Sequence, residues 1–191
     1  MTSSSEAPSK PAVELRAVDI VFGERTAAAL AMIDQGKNRQ EILDATGAVL
    51  GAAGVSLTIE TGEICVLMGL SGSGKSTVLR AVNGLNPVAR GAVLVADGEA
   101  TVDVASCSEE VLRRLRQSRV TMVFQQFALL PWRTVRENVG LGLELKGMAK
   151  AERDAIVDQK LAMVGLDKWA EKYAHELSGG MQQRVGLARA F

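Results

Sequence analysis

The run Gly69-Leu70-Ser71-Gly72-Ser73-Gly74-Lys75-Ser76-Thr77 carries the densest chemistry in the sequence. It matches G-x-x-x-x-G-K-[ST], a spacing suited to gripping a polyphosphate. Triphosphate oxygens need several converging donors. Glycines, lacking Cβ, let the chain curl tightly enough for successive backbone N–H groups to supply them. A helix opening directly behind the loop adds its unpaired N–H groups and the positive end of its dipole. Lys75 then sets a cation between the β- and γ-phosphates, and the Ser76 hydroxyl coordinates Mg²⁺. Gly69, Ser71, Gly72, Ser73, Gly74, Lys75, Ser76 and Thr77 are therefore the candidate nucleotide contacts. ATP and Mg²⁺ are the expected ligands, and Lys75 is the catalytic cation.

This chemistry requires a strand before the loop and a helix after it. Ile64-Cys65-Val66-Leu67-Met68 is apolar on both faces, as a strand buried in a parallel sheet would be. Residues 75–83 read as a helix, with Gly84 beyond its end. Around that unit, residues 13–22 read as a strand closed by Gly23. Residues 26–47 read as helical, with a break near Gly36-Lys37-Asn38. Val55-Ser56-Leu57-Thr58-Ile59 alternates as a half-exposed strand. Residues 92–96 and 101–104 read as short strands around an Asp97-Gly98 turn. Residues 109–117 read as a polar helix and 120–124 as another apolar strand. Beyond Pro131 the pattern is helical, with Val135 and Val139, then Val157, Leu161 and Val164, then Met181, Val185 and Ala188 repeating at helical spacing.

Composition narrows the class. The chain has 191 residues, 47% apolar and 23% charged, as expected for a globular protein with a real core. Lys plus Arg and Asp plus Glu number 22 each, so no global field draws in nucleic acid or an anionic membrane. Arg113, Arg114, Arg116 and Arg119 cluster locally and read as a solvated helix face. Cys65 and Cys107 lack metal-ligand spacing. Cys65 reads as a small buried hydrophobe, and a reducing compartment is expected. Residues 1–12 read as a disordered tail rather than a signal peptide. No apolar run approaches the ~20 residues needed to cross a bilayer.

A second motif widens the reading. Leu177-Ser178-Gly179-Gly180-Met181-Gln182-Gln183-Arg184 resembles the LSGGQ signature of ATP-binding-cassette (ABC) ATPases. Ser178 and two glycines opening a helix make a second anion site with unobstructed N–H groups. Val123-Phe124-Gln125-Gln126-Phe127-Ala128-Leu129-Leu130-Pro131 resembles the family's Q-loop, and Phe22 stands where the family stacks an aromatic ring on adenine. The resemblance is nearest to ATPase subunits of choline, glycine betaine and proline betaine importers. The helical insertion at 26–47 and the sequence from Phe127 to Val135 read like that subfamily, although Trp132 and Ala174 depart from its usual histidine and proline.

The resemblance implies an α/β P-loop NTPase of ABC type: a parallel core sheet with an antiparallel β subdomain and a helical subdomain. The implied layout is a nucleotide-binding core over 13–124, a Q-loop and helical subdomain over 125–178, and the start of the signature helix over 179–191. Gln125 is implied to reach Mg²⁺ and the attacking water. Ser178, Gly179, Gly180 and Gln182 are implied to face the γ-phosphate held by a second copy, so ATP is sandwiched in a homodimer. Leu130, Pro131 and Trp132 are the implied contacts to membrane permease subunits, which receive substrate from an extracytoplasmic binding protein. The chain would then sit peripherally on the cytoplasmic face of a bacterial inner membrane, with no nucleic-acid partner. His175 precedes the signature and reads as structural. The family's next elements, an apolar strand ending in Asp-Glu and a switch histidine, are expected beyond Phe191. Little hydrolysis is expected without them, and a non-catalytic ATP-binding module is the alternative.

Overall fold

The computed structural model describes residues 10–191, so most of the expected disordered tail lies outside the described residues. Residues 10–12 correct that expectation. The Ala12 N–H donates to Ile59 O at 2.8 Å, and Ala12 O accepts from Ala96 N at 3.0 Å, which ties the segment to the sheet. The chain divides into two units, one ending at Val120 and the other spanning Thr121–Phe191.

In the first unit, β1 (Val13–Phe22), β2 (Val49–Ile59), β3 (Arg90–Asp97) and β4 (Ala100–Asp103) form one sheet. Its order is β2-β1-β3-β4, and all three pairings are antiparallel. β2 begins six residues ahead of the alternating pattern at Val55, because Val49 and Leu50 pair with Phe22 and Val21. The core face carries Leu15, Val18, Ile20, Ala52, Val93 and Val95. Against it pack Val78 and Ala81 of α3 (Lys75–Val82) and Leu115 of α4 (Glu109–Ser118). The insertion forms α1 (Thr26–Asp34) and α2 (Arg39–Thr46), anchored by Ala29 and Ile42 in a satellite cluster with Val21, Ala48 and Leu50. A capping box fixes the start of α2. Asn38 Oδ1 accepts from Glu41 N at 3.0 Å, and the Asn38 N–H donates to Glu41 Oε2 at 2.8 Å.

Two expected strands are not formed. Residues 64–68 and 120–124 carry no ladder among the described residues. Ile64, Val66 and Met68 are 89%, 69% and 88% exposed, and Cys65 is half-buried rather than buried. A segment apolar on both faces becomes a strand only when neighbours supply its hydrogen bonds and cover its faces. Among the described residues no strand pairs with 64–68, and Ile64, Val66 and Met68 are left uncovered. The antiparallel and helical parts of the expected architecture are present, while neither expected core strand forms a ladder among the described residues.

The second unit is built on three α-helices, α5 (Val135–Leu145), α6 (Lys150–Met163) and α7 (Gly179–Ala190), with two short 3-10 turns between the last two. They close around Val135, Val139, Val157, Leu161, Val185 and Ala188, as their helical spacing requires. Asn138 is buried in this unit. Its amide donates to Leu130 O, Arg133 O and Thr134 O, and its Oδ1 accepts from Leu130 N at 2.8 Å. Asn138→Leu therefore strands several backbone groups, and should destabilise this unit by about 2–3 kcal/mol. Urea denaturation followed by tryptophan fluorescence tests this, since Trp132 and Trp169 both lie in the unit.

Candidate functional site

The phosphate loop ends at Gly74, the N-cap of α3, with φ +97°. Its position is set by a close approach. A Cβ on Gly74 would lie 2.4 Å from the carbonyl oxygen of Gly51 in β2, so only glycine fits. Gly51 is itself constrained, since a Cβ there would meet the Phe22 ring at 2.8 Å and Thr77 Cγ2 at 2.9 Å. Strand, aromatic ring, loop and first helical turn are thus packed at a single point. Lys75 follows as the first residue of α3. Its ammonium donates to Gly69 O at 2.8 Å, Leu70 O at 2.7 Å and Ser73 Oγ at 3.2 Å, closing the loop on itself. Ser71, Gly72, Ser73 and Ser76 are exposed. Phe22 is half-buried and lines an open hollow of about 330 Å³ with Val21, Gly23, Thr26, Pro87, Val88 and Ala89.

One contact at this loop was not read from the sequence. Arg39, opening α2, donates to Gly72 O at 2.7 Å, Gly51 O at 3.1 Å and Ser73 O at 3.3 Å. No motif marks it. The one available signal was a basic residue at the start of an inserted helix, which alone is uninformative.

In the second unit Gln125 is exposed and opens a turn over residues 125–128. Within that turn Phe127 and Ala128 have φ of 57° and 48°, strained values for residues with side chains. Arg189 of α7 holds them in place. Its Nη2 donates to Phe127 O and its Nη1 to Ala128 O, both at 2.8 Å. Burial pushes the Arg189 pKa below the ordinary arginine value, so the guanidinium is partly desolvated where it makes these bonds. Beyond the turn, Leu130 is half-buried and gripped by Asn138, whereas Pro131 and Trp132 are exposed. Trp132 borders a hollow of about 630 Å³ lined by Arg133, Arg136, Glu144, Lys150 and Arg153 among others.

The signature glycines differ from the loop glycines. Ser178 caps α7, its Oγ accepting from Met181 N at 3.4 Å. Gly179 and Gly180 follow in the first turn, exposed, and a Cβ on either would meet nothing within 4 Å. No contact among the described residues requires glycine there. The side chain of Gln182 turns the other way, its amide donating to Ala174 O at 2.9 Å and Leu177 O at 3.2 Å, which fixes the turn into α7. Ahead of it, the Lys172 ammonium and then the Tyr173 N–H hold the Glu176 carboxyl below the usual carboxylate range. The His175 ring stacks on Tyr173 at 5.8 Å.

The sequence profile described as "ABC transporter" matches residues 52–191. The chain is 48% identical, over 178 residues, to the glycine betaine/proline betaine transport system ATP-binding protein ProV of Escherichia coli (strain K12), covering 93% of this chain and 44% of that protein. It is 45% identical over 188 residues to the glycine betaine transport ATP-binding protein OpuAA of Bacillus subtilis (strain 168), covering 98% of this chain and 44% of that one. The chain thus spans less than half the length of these relatives. Among solved structures, a dimeric post-hydrolysis state of the ATP-binding cassette MJ0796 bound to ADP and Pi aligns with a TM-score of 0.74. It is 31% identical, and the alignment covers 94% of this chain and 68% of that one.

The two kinds of glycine should respond oppositely to alanine. Gly74→Ala meets a backbone oxygen at 2.4 Å in a left-handed conformation, so the unliganded protein should lose stability by about 2 kcal/mol or more. Gly180→Ala meets nothing and gains helix propensity, so stability should rise by about 0.5–1 kcal/mol. Thermal melts of the two variants check both signs.

Proposed function

The chain belongs to the ABC transporter family, and from that we propose that it is the MgATP-binding, ATP-hydrolysing subunit of an importer of quaternary ammonium solutes such as glycine betaine. The observation that carries the nucleotide reading is the junction of Gly74, Gly51 and Lys75, where a loop rich in backbone donors feeds the N-terminus of α3. Lys75 offers its ammonium to the β- and γ-phosphates, exchanging loop carbonyls for anionic oxygens. Phe22, half-buried at the edge of its hollow, supports adenine stacking. Mg²⁺, when bound, neutralises developing phosphate charge. The exposed Ser76 hydroxyl in the first turn of α3 would be its donor from this loop. Among the described residues no cluster of three or more His, Cys, Asp or Glu is arranged to hold a metal.

The open first turn of α7 supports a second role. Glycines that this chain's own packing does not need at 179 and 180 suit close approach by an outside anion, here the γ-phosphate bound to a second copy. The solute class rests on relatives whose names carry it. Pro131 and Trp132 are the exposed residues available to a permease subunit. Among the described residues no helix is long and apolar enough to cross a membrane.

MgATP at a hundredfold excess over its Kd should raise the melting temperature by about 5 °C or more, and Lys75→Ala should abolish most of that shift. An unshifted wild type would remove the nucleotide reading. In membranes holding the full transporter, glycine betaine with its binding protein should stimulate ATP hydrolysis. Stimulation by an uncharged sugar or an amino acid instead would overturn the solute class and leave the ATPase reading intact.

A further inference from the structure

We propose that Arg39 is a positioning residue for the nucleotide's phosphates: from the inserted helix α2 it holds the carbonyls of the phosphate loop and so aims the loop's N–H groups at the anion. The proposal rests on the nucleotide reading of the loop and adds to it a residue outside every motif.

The base on which Arg39 stands is rigid. The capping box of Asn38 and Glu41 fixes the first turn of α2. Ile42, one turn on, is fully buried against Val21, Ala29, Ala48 and Leu50. The guanidinium therefore leaves a fixed point and reaches three acceptors, Gly72 O, Gly51 O and Ser73 O, at 2.7, 3.1 and 3.3 Å. A planar fork with several donors can span acceptors on two segments, which a lysine ammonium does less well.

The consequence follows from peptide geometry. Every peptide bond described is trans, so each carbonyl points opposite to the N–H of the next residue. With Gly72 O and Ser73 O turned onto Arg39, the N–H groups of Ser73 and Gly74 face the other side, away from α2. The Ser73 N–H indeed points across the loop, 3.3 Å from Leu70 O. Lys75 takes the carbonyls of Gly69 and Leu70 in the same way. Two cations thus collect the loop's carbonyls and turn the N–H groups of Ser73 and Gly74 away from α2, where the Ser73 N–H would exchange Leu70 O for a phosphate oxygen. The acceptors of Arg39 are backbone carbonyls rather than carboxylates, so its positive charge stays beside the loop. Gly51 O, which admits no Cβ on Gly74, is also an Arg39 acceptor, so the clasp and the tightest packing point of the site coincide.

Direct titration of the full chain with MgATP, and separately with inorganic tripolyphosphate in Mg²⁺, tests the proposal with Arg39→Gln, Arg39→Lys and Lys75→Ala. Arg39→Gln should weaken both ligands by a similar factor, roughly tenfold, as loss of a charge-assisted contact predicts. Tripolyphosphate has no adenine, so a parallel loss locates the effect at the phosphates. The melting temperature without ligand should stay near wild type, and Arg39→Lys should recover part of the affinity. The proposal falls if Arg39→Gln binds both ligands as wild type does. It falls equally if the affinity loss tracks a large drop in unliganded melting temperature that lysine does not repair, since Arg39 would then only hold the insertion in place. A wild type that binds neither ligand, with Lys75→Ala indistinguishable from it, sinks the nucleotide reading and the proposal together. Lys75-dependent binding without Arg39 dependence sinks the proposal alone.

Discussion

The approach of Gly74 to the carbonyl of Gly51 organises the first unit. A helix N-terminus is useful to an anion only if it is held still and unobstructed, and a contact that leaves no space for a Cβ holds it against the sheet. β2 is in turn fixed by its pairing with β1. The buried Asp19 carboxylate of β1 reinforces this by accepting from Gly54 N in β2 and from Arg90 at the start of β3, both at 2.6 Å. The four-stranded sheet is therefore the support that places the loop, and α3 joins it by burying Val78 and Ala81 in the sheet's core.

The second unit solves a different problem. Its glycines at 179 and 180 face open space, and the order around them comes from neighbours: Ser178 as cap, Gln182 against Ala174 and Leu177, Arg189 against the strained turn at Phe127 and Ala128. A helix of only 12 residues thereby supports both the signature turn at its start and the turn after Gln125 at its end. Substitutions along one face of α7 would disturb both.

Elements whose pattern is local were legible. β1 follows from a run closed by Gly23, and α1–α2 from helical runs and the glycine at 47, which adopts φ +71° as a helix-ending residue should. The loop at 69–74 was legible as a glycine-rich turn into a helix, and Gly69, Gly72 and Gly74 take positive φ there. The segment at 64–68 was not, because apolarity on both faces states what a strand needs rather than whether neighbours supply it, and Ile64 and Met68 stand nearly fully exposed. Arg39 was invisible for a related reason. Its partners lie 33 and 34 residues away at Gly72 and Ser73 and are backbone oxygens, which no residue type announces. Gln182 was assigned to the ligand by its place in a motif, whereas its amide is engaged with the chain's own backbone.

The arginines at 39 and 189 share a physical logic. Each extends from a packed helix and donates through both Nη atoms to successive carbonyls of a loop that would otherwise sample many conformations. Ordering a loop costs about 1–2 kcal/mol per residue in backbone entropy, and a ligand that must order its own site binds weaker by that amount. A guanidinium that arranges the carbonyls during folding moves this cost away from the binding step. Carbonyls are the better handle, because the N–H groups are needed by the ligand and a side chain that took them would compete with it. On this reasoning the insertion at 26–47 is part of the phosphate site's scaffold rather than an appendage to it, since one of its residues sets which way the loop's donors face.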